Sequence, residues 1–148
     1  MREEIITRSA AATKRYAAKL VRKLGTVRVI GLEGGLGAGK TVFVKGIAKG
    51  LGVKHLIQSP TFVIMRVYPV EHGSIRTLVH VDCYRLKDSR ELMDIGLQDY
   101  LEDPSTLIVI EWADRVPELI PVGALTVAFQ RTGANDKRKL IVSSRAVA

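Results

Sequence analysis

Apolar residues recur along the chain with two periods in turn, and the switching between them predicts an alternating α/β order. Residues 9–24 carry apolar positions at helical spacing, with Ser9 as a candidate N-cap and Gly25 as a stop. Val27-Arg-Val-Ile-Gly-Leu-Glu33 reads as a short buried strand. Residues 40–51 return to the helical period through Val44, Ile47, Ala48 and Leu51. After the stiff Ser59-Pro-Thr61 turn, Phe62–Tyr68 and Ile75–Val81 read as two strands around a hairpin turn at Glu71-His-Gly-Ser74. Ser89–Met93 and Gly96–Leu101 predict short helical segments. Thr106–Glu111 predicts a buried strand, and Leu125–Arg131 with Lys139–Ser143 a final strand pair about Thr132–Arg138. Apolar strands separated by helices favour a parallel core sheet, and the hairpins add antiparallel strands. No repeat, low-complexity stretch or linker interrupts the pattern, so residues 1–148 are expected to form a single domain.

Between the first strand and the second helix lies Gly34-Gly-Leu-Gly-Ala-Gly-Lys-Thr41, which fits G-x-x-x-x-G-K-[ST], the phosphate-binding (Walker A) loop. Its glycines can take positive φ and carry no Cβ, so successive N–H groups can turn inward around an anion. Gly35, Leu36, Gly37, Ala38 and Gly39 would supply that backbone. Lys40 adds a point charge for the β/γ-phosphates, and the Thr41 hydroxyl can ligate Mg²⁺. The order strand, glycine loop, helix is the one the motif requires, and it brings a positive helix end to the phosphates.

Two apolar runs end in acids. Leu107-Ile-Val-Ile-Glu111 and Thr77-Leu-Val-His-Val-Asp82 would, in a parallel sheet, deliver Glu111 and Asp82 to the same edge as the loop. Val79, Val81 and Cys83 share one face of the second run, while His80, Asp82 and Tyr84 share the other. A polar, solvated sheet edge would also explain that row. Beside a phosphate loop, which needs a metal ligand and a water-orienting group, a site is the better reading.

Charge changes the picture in the first third. The chain carries a net +8; residues 1–58 hold twelve Lys/Arg against three acids, and residues 59–148 hold eleven against twelve. Part of that excess faces the loop. The rest (Lys14, Arg15, Lys19, Arg22, Lys23) lies on the first helix, where it is either a solvated face or a surface for RNA or an acidic protein. The charged N-terminus (Arg2, Glu3, Glu4) lacks the apolar run of a signal peptide, and no stretch approaches the ~18 apolar residues of a membrane span. The single cysteine, Cys83, allows no internal disulfide and reads as a small buried apolar residue. A cytoplasmic protein with no membrane or DNA partner is expected.

The loop, followed by Ser59-Pro-Thr-Phe62, His80-Val-Asp-Cys-Tyr-Arg-Leu86, Glu91-Leu92, Gly96 and Glu111-Trp112, resembles the bacterial TsaE (YjeE) ATPases over nearly the whole chain. The resemblance implies a three-layer P-loop NTPase-type fold. It also implies an ATPase of the machinery that makes threonylcarbamoyladenosine in tRNA, with TsaB and TsaD as partners, ATP and Mg²⁺ as cofactors, and any tRNA contact made through the complex. Carried onto this chain, Gly35–Thr41 and Lys40 hold the phosphates, and Thr41 and Glu111 hold Mg²⁺. Asp82 lies near the γ-phosphate, and Lys40, Asp82 and Glu111 form the catalytic set. Thr61 sits on a switch-like loop, Tyr84 and Trp112 shape the site or the partner surface, Ser9 borders the adenine, and Arg138 is a late arginine within reach of the nucleotide. The family usually has an acid where this chain has Gly35, which puts in doubt any role of that acid in tuning hydrolysis. The chain has no Asn-Lys-x-Asp segment of the kind that reads guanine, which favours ATP. Three alternatives stay open on sequence: a small-molecule or nucleoside kinase on the same fold, a nucleic-acid-binding module, and an adaptor with an inert nucleotide site.

Overall fold

A computed structural model describes residues 2–35, 37–54, 57, 64–133 and 137–145. Leu36 and the Ser59–Phe62 segment, with the expected switch residue Thr61, lie outside these described residues. Seven strands make one sheet in the order β1-β7-β6-β2-β5-β4-β3. They are β1 (Arg2–Thr7), β2 (Val29–Glu33), β3 (Met65–His72), β4 (Ile75–Asp82), β5 (Thr106–Glu111), β6 (Leu125–Arg131) and β7 (Arg138–Ser144). The central strands β6, β2, β5 and β4 run parallel, while β3, β7 and β1 add antiparallel edges. The expected parallel core with antiparallel additions is therefore present.

Side-chain alternation in the central strands builds two cores. Leu78, Leu107 and Val109 belong to one, with α1 (Ala10–Leu20) and α2 (Lys40–Gly50); Val79, Ile108 and Ile110 belong to the other, with α3 (Arg90–Asp94) and α4 (Leu97–Leu101). Helices on both faces of the sheet give three layers. The first helix starts where sequence placed it: the Ser9 hydroxyl accepts from the Ala12 N–H at 3.0 Å. It ends earlier than expected, because Val21–Lys23 tighten into a 3₁₀ turn before Gly25 turns left-handed at φ 56°. Strand β1 was not expected. Only Thr7 in it is buried, so its alternation is too weak to read, and pairing with β7 is what makes it a strand.

Two glycines set the closeness of α1 and α2. A Cβ at Gly46 would meet the Lys14 carbonyl and, at 2.7 Å, the Ala17 Cβ; one at Gly50 would lie 2.7 Å from the Ala18 carbonyl. These neighbours are backbone or Cβ atoms and cannot rotate aside. Gly46→Ala gains about 1 kcal/mol of helix propensity, but overpacking at a rigid contact costs about 1–3 kcal/mol. The expected result is a net loss of about 1 kcal/mol in denaturant unfolding, with the α1–α2 contact forced apart. An unchanged or raised midpoint would show that the helices can separate freely.

Candidate active site at the phosphate loop

The loop leaves β2 and enters α2 through two left-handed glycines, Gly37 at φ 71° and Gly39 at φ 107°. Gly39 is the N-cap of α2 and supplies no side-chain hydrogen bond, so the first N–H groups of the helix are left to an incoming anion. A Cβ at Gly35 would meet nothing within 4 Å, so a side chain can begin there without a clash at its first carbon.

Four side chains from three elements converge beside it: Lys40 and Thr41 from α2, Asp82 from the end of β4 and Glu111 from the end of β5. Lys40, only 5 % exposed, donates to the carbonyls of Gly34 (2.5 Å) and Gly35 (2.8 Å). Its ammonium lies 4.0 Å from the centre of the Trp112 ring. Burial lowers the Lys40 pKa, and Glu111, then Asp82 and Asp114, act against that shift. The Thr41 hydroxyl donates to Glu111 Oε1 at 3.1 Å. Asp82 and Glu111 are register partners at the ends of β4 and β5, so both acids reach the same edge. Asp82 Oδ1 accepts from the Tyr84 N–H at 2.9 Å. Lys40, Thr41, Asp82, Tyr84, Glu111 and Trp112 line one cleft of about 480 Å³, with Gly37, Ala38, Gly39, Arg138 and the α1 residues Ala10 and Thr13. Ser9 itself is absent from the lining; it holds the start of the helix whose next turn borders the cleft.

Trp112 is the one non-glycine at positive φ among the described residues (φ 59°, ψ 42°). That conformation costs roughly 1–2 kcal/mol. It ends β5 immediately after Glu111 and turns the indole over Lys40. Tyr84 packs on the same indole with ring centres 5.0 Å apart, and the Arg115 guanidinium lies 5.5 Å from both rings.

Two contributors, His80 and Arg131, were given no role of their own from sequence. His80 is fully buried, and its Nε2 lies 2.6 Å from Glu111 Oε2. With Glu111 ionised, Nε2–H is the donor, and Nδ1 has no partner among the described residues. The signal was the His80–Asp82–Tyr84 row, but pairing with β5 was needed to aim the imidazole at Glu111. Arg131 donates to the Gly37 carbonyl at 3.1 Å, and Arg138 donates to the carbonyls of Gly37 and Ala38, also at 3.1 Å. Strand β6 runs beside β2 and continues three residues beyond the Glu33–Ala128 pair, which lifts Arg131 to loop level. Cys83 is buried, and burial with nearby Asp82 pushes its thiol up to about 12, so it is no nucleophile at neutral pH.

The donor set suits magnesium. Among the described residues no group of three His, Cys, Asp or Glu side chains could hold a metal. Mg²⁺ does not ask for such a cage, since it takes one or two protein oxygens and completes its shell with water and phosphate. Thr41 Oγ1 beside Glu111 Oε1 is a pair of that kind.

A glycine loop between a parallel strand and a helix, with a buried lysine and two strand-end acids, defines the P-loop nucleotide-binding class. The family model described as threonylcarbamoyl adenosine biosynthesis protein TsaE matches residues 7–140. The chain belongs to the TsaE family, which acts in threonylcarbamoyladenosine biosynthesis on tRNA. It is 40 % identical over 138 residues to the tRNA threonylcarbamoyladenosine biosynthesis protein TsaE of Treponema pallidum, covering 93 % of this chain and 98 % of that one. The protein of the same name in Mycobacterium bovis is 36 % identical over 132 residues, 85 % of this chain and 77 % of that one. The crystal structure of Bacillus subtilis YdiB superposes with a TM-score of 0.76 at 30 % identity, over 99 % of this chain and 87 % of that one.

Proposed function

We propose that this chain is the Mg²⁺-dependent ATPase of threonylcarbamoyladenosine synthesis, slow alone and dependent on TsaB and TsaD for productive turnover in the cytoplasm. The observation that carries the reading is the convergence of Lys40, Thr41 and Glu111 in one cleft beside the glycine loop. Lys40 exchanges its loop carbonyls for the β/γ oxygens and neutralises the charge that develops there. Asp82, held by the Tyr84 N–H, orients the attacking water. Glu111 and Thr41 hold Mg²⁺, which when bound adds positive charge at the phosphates. Arg131 and Arg138 brace the outer carbonyls of the loop and keep its N–H groups facing inward.

The kinase alternative is disfavoured by one observation. A kinase of this fold needs an Arg-rich lid over the nucleotide, and the segment 87–104, with Lys87 and Arg90 followed mostly by acids, is a poor one. Leu92 of α3 and Leu97 of α4 are instead buried in the core that does not contain α1 and α2. Incubation with ATP and Mg²⁺ is expected to release free phosphate, with a clear rise when TsaB and TsaD are added. Label transferred to a pooled nucleoside, or phosphate release indifferent to both partners, would overturn the assignment.

A further inference from the structure

A second cleft, of about 580 Å³, runs between α1 and α2 and shares no lining residue with the nucleotide cleft. Its walls carry Lys14, Arg15, Lys19 and Arg22 from α1 and the 3₁₀ turn that follows it, and Lys49 from α2. No carboxylate lines it. The α1 cations recur at each turn along about 12 Å of axis, given a rise of about 1.5 Å per residue. The floor is small: Ala11, Ala18 and Gly50. The close glycine contacts described above draw the two helices together, and this brings Lys49 alongside the α1 row. Among the described residues none of the five cations is engaged in a side-chain hydrogen bond or ion pair.

Five like charges in one trough repel each other, and nothing in the trough offsets them. Their spread along the helix suits a polyanion better than a single small anion. A protein partner would need an apolar anchor to enter, and no large apolar side chain lines the trough. Phosphate-backbone binding needs no such anchor. The trough also has no aromatic ring on which unpaired bases could stack, which favours helical over single-stranded RNA. We infer that the α1/α2 trough docks the sugar–phosphate backbone of folded RNA, without reading its sequence. Relatives in the family are named for a modification of tRNA, which is a folded RNA of this kind. The inference goes beyond the ATPase reading and does not depend on hydrolysis.

The test is fluorescence anisotropy of the full-length protein with an unmodified tRNA transcript, titrated between about 50 and 200 mM salt. Five phosphate contacts predict a slope of log K against log salt of about −4. Replacing three of them together (Lys14→Gln, Lys19→Gln, Arg22→Gln) is expected to cut the slope to about −2 and weaken binding roughly tenfold or more. ATP hydrolysis should be unchanged in that variant, since none of the three residues lines the nucleotide cleft. Arg22→Gln alone, a single exposed change, should reduce the slope by about 1 if the triple variant fails to fold. Lys40→Ala should retain RNA binding. Wild-type protein that does not bind the transcript, or variants that keep its affinity and slope, would overturn the inference. So would a loss of RNA binding in Lys40→Ala as large as in the triple variant, or dependence on these cations only for an acidic protein partner.

Discussion

Lys40→Ala is expected to weaken ATP binding by at least about a hundredfold and to remove measurable hydrolysis. The size follows from what the ammonium does in two places. At the phosphates it supplies charge-assisted hydrogen bonds worth about 1.5–3 kcal/mol each. Within the loop it donates to the carbonyls of Gly34 and Gly35, so its removal also leaves those carbonyls without that donor and loosens the turn. Either effect alone gives roughly tenfold or more, and here they act on the same cradle. Isothermal titration with ATP measures the first quantity, and phosphate release with TsaB and TsaD present measures the second. A thermal melt guards against simple unfolding, which is not expected, because burial lowers the lysine's own pKa and its charged form is held at a cost. Affinity retained within a few-fold would mean that the nucleotide sits elsewhere, and the site would have to be abandoned.

The parts of the fold that could be read in advance are those whose information is local. Leu107–Ile110 is an unbroken apolar run between Thr106 and the terminal acid, and the strand has the bounds Thr106–Glu111. Residues 125–131 likewise match β6, and the hairpin turn falls at Gly73 and Ser74 as its residues require. The loop, Lys40, Thr41, Glu111 and Asp82 were legible because strand direction alone brings their carriers to one edge. What was not legible depends on contacts across the sheet. Strand β1 needs β7 to exist, Arg131 needs β6 to overshoot β2, and His80 finds Glu111 only through the register of β4 with β5. The left-handed Trp112 has no sequence signal, because bulky residues avoid that conformation and take it only where surrounding structure compels them. The basic first third was legible as charge. The shape that gathers five of its cations into one trough follows from the small residues between two helices.

Glu111→Gln should separate nucleotide binding from turnover. The side chain is 3 % exposed and bonded on both sides, to Thr41 through Oε1 and to His80 through Oε2. The amide has nearly the same shape, so packing is kept and the fold should survive. What disappears is a negative charge on a side chain almost wholly covered by protein, where charge counts for more than at the surface. Two consequences follow with opposite signs. The affinity for ATP without metal should hold or rise, because a carboxylate no longer faces the phosphates. The gain in affinity on adding Mg²⁺ should shrink, and hydrolysis with TsaB and TsaD should fall by about 10²–10³-fold, the range seen when one electrostatic contributor to a transition state is removed. Metal titration of nucleotide binding distinguishes this from a general loss of structure, which would weaken binding with and without the ion alike. If the variant responds to Mg²⁺ as the parent does, Glu111 is no metal ligand. Its buried contact with His80 would then be a matter of packing β4 against β5, and Asp82, its register partner on the neighbouring strand, would be the next candidate for the metal.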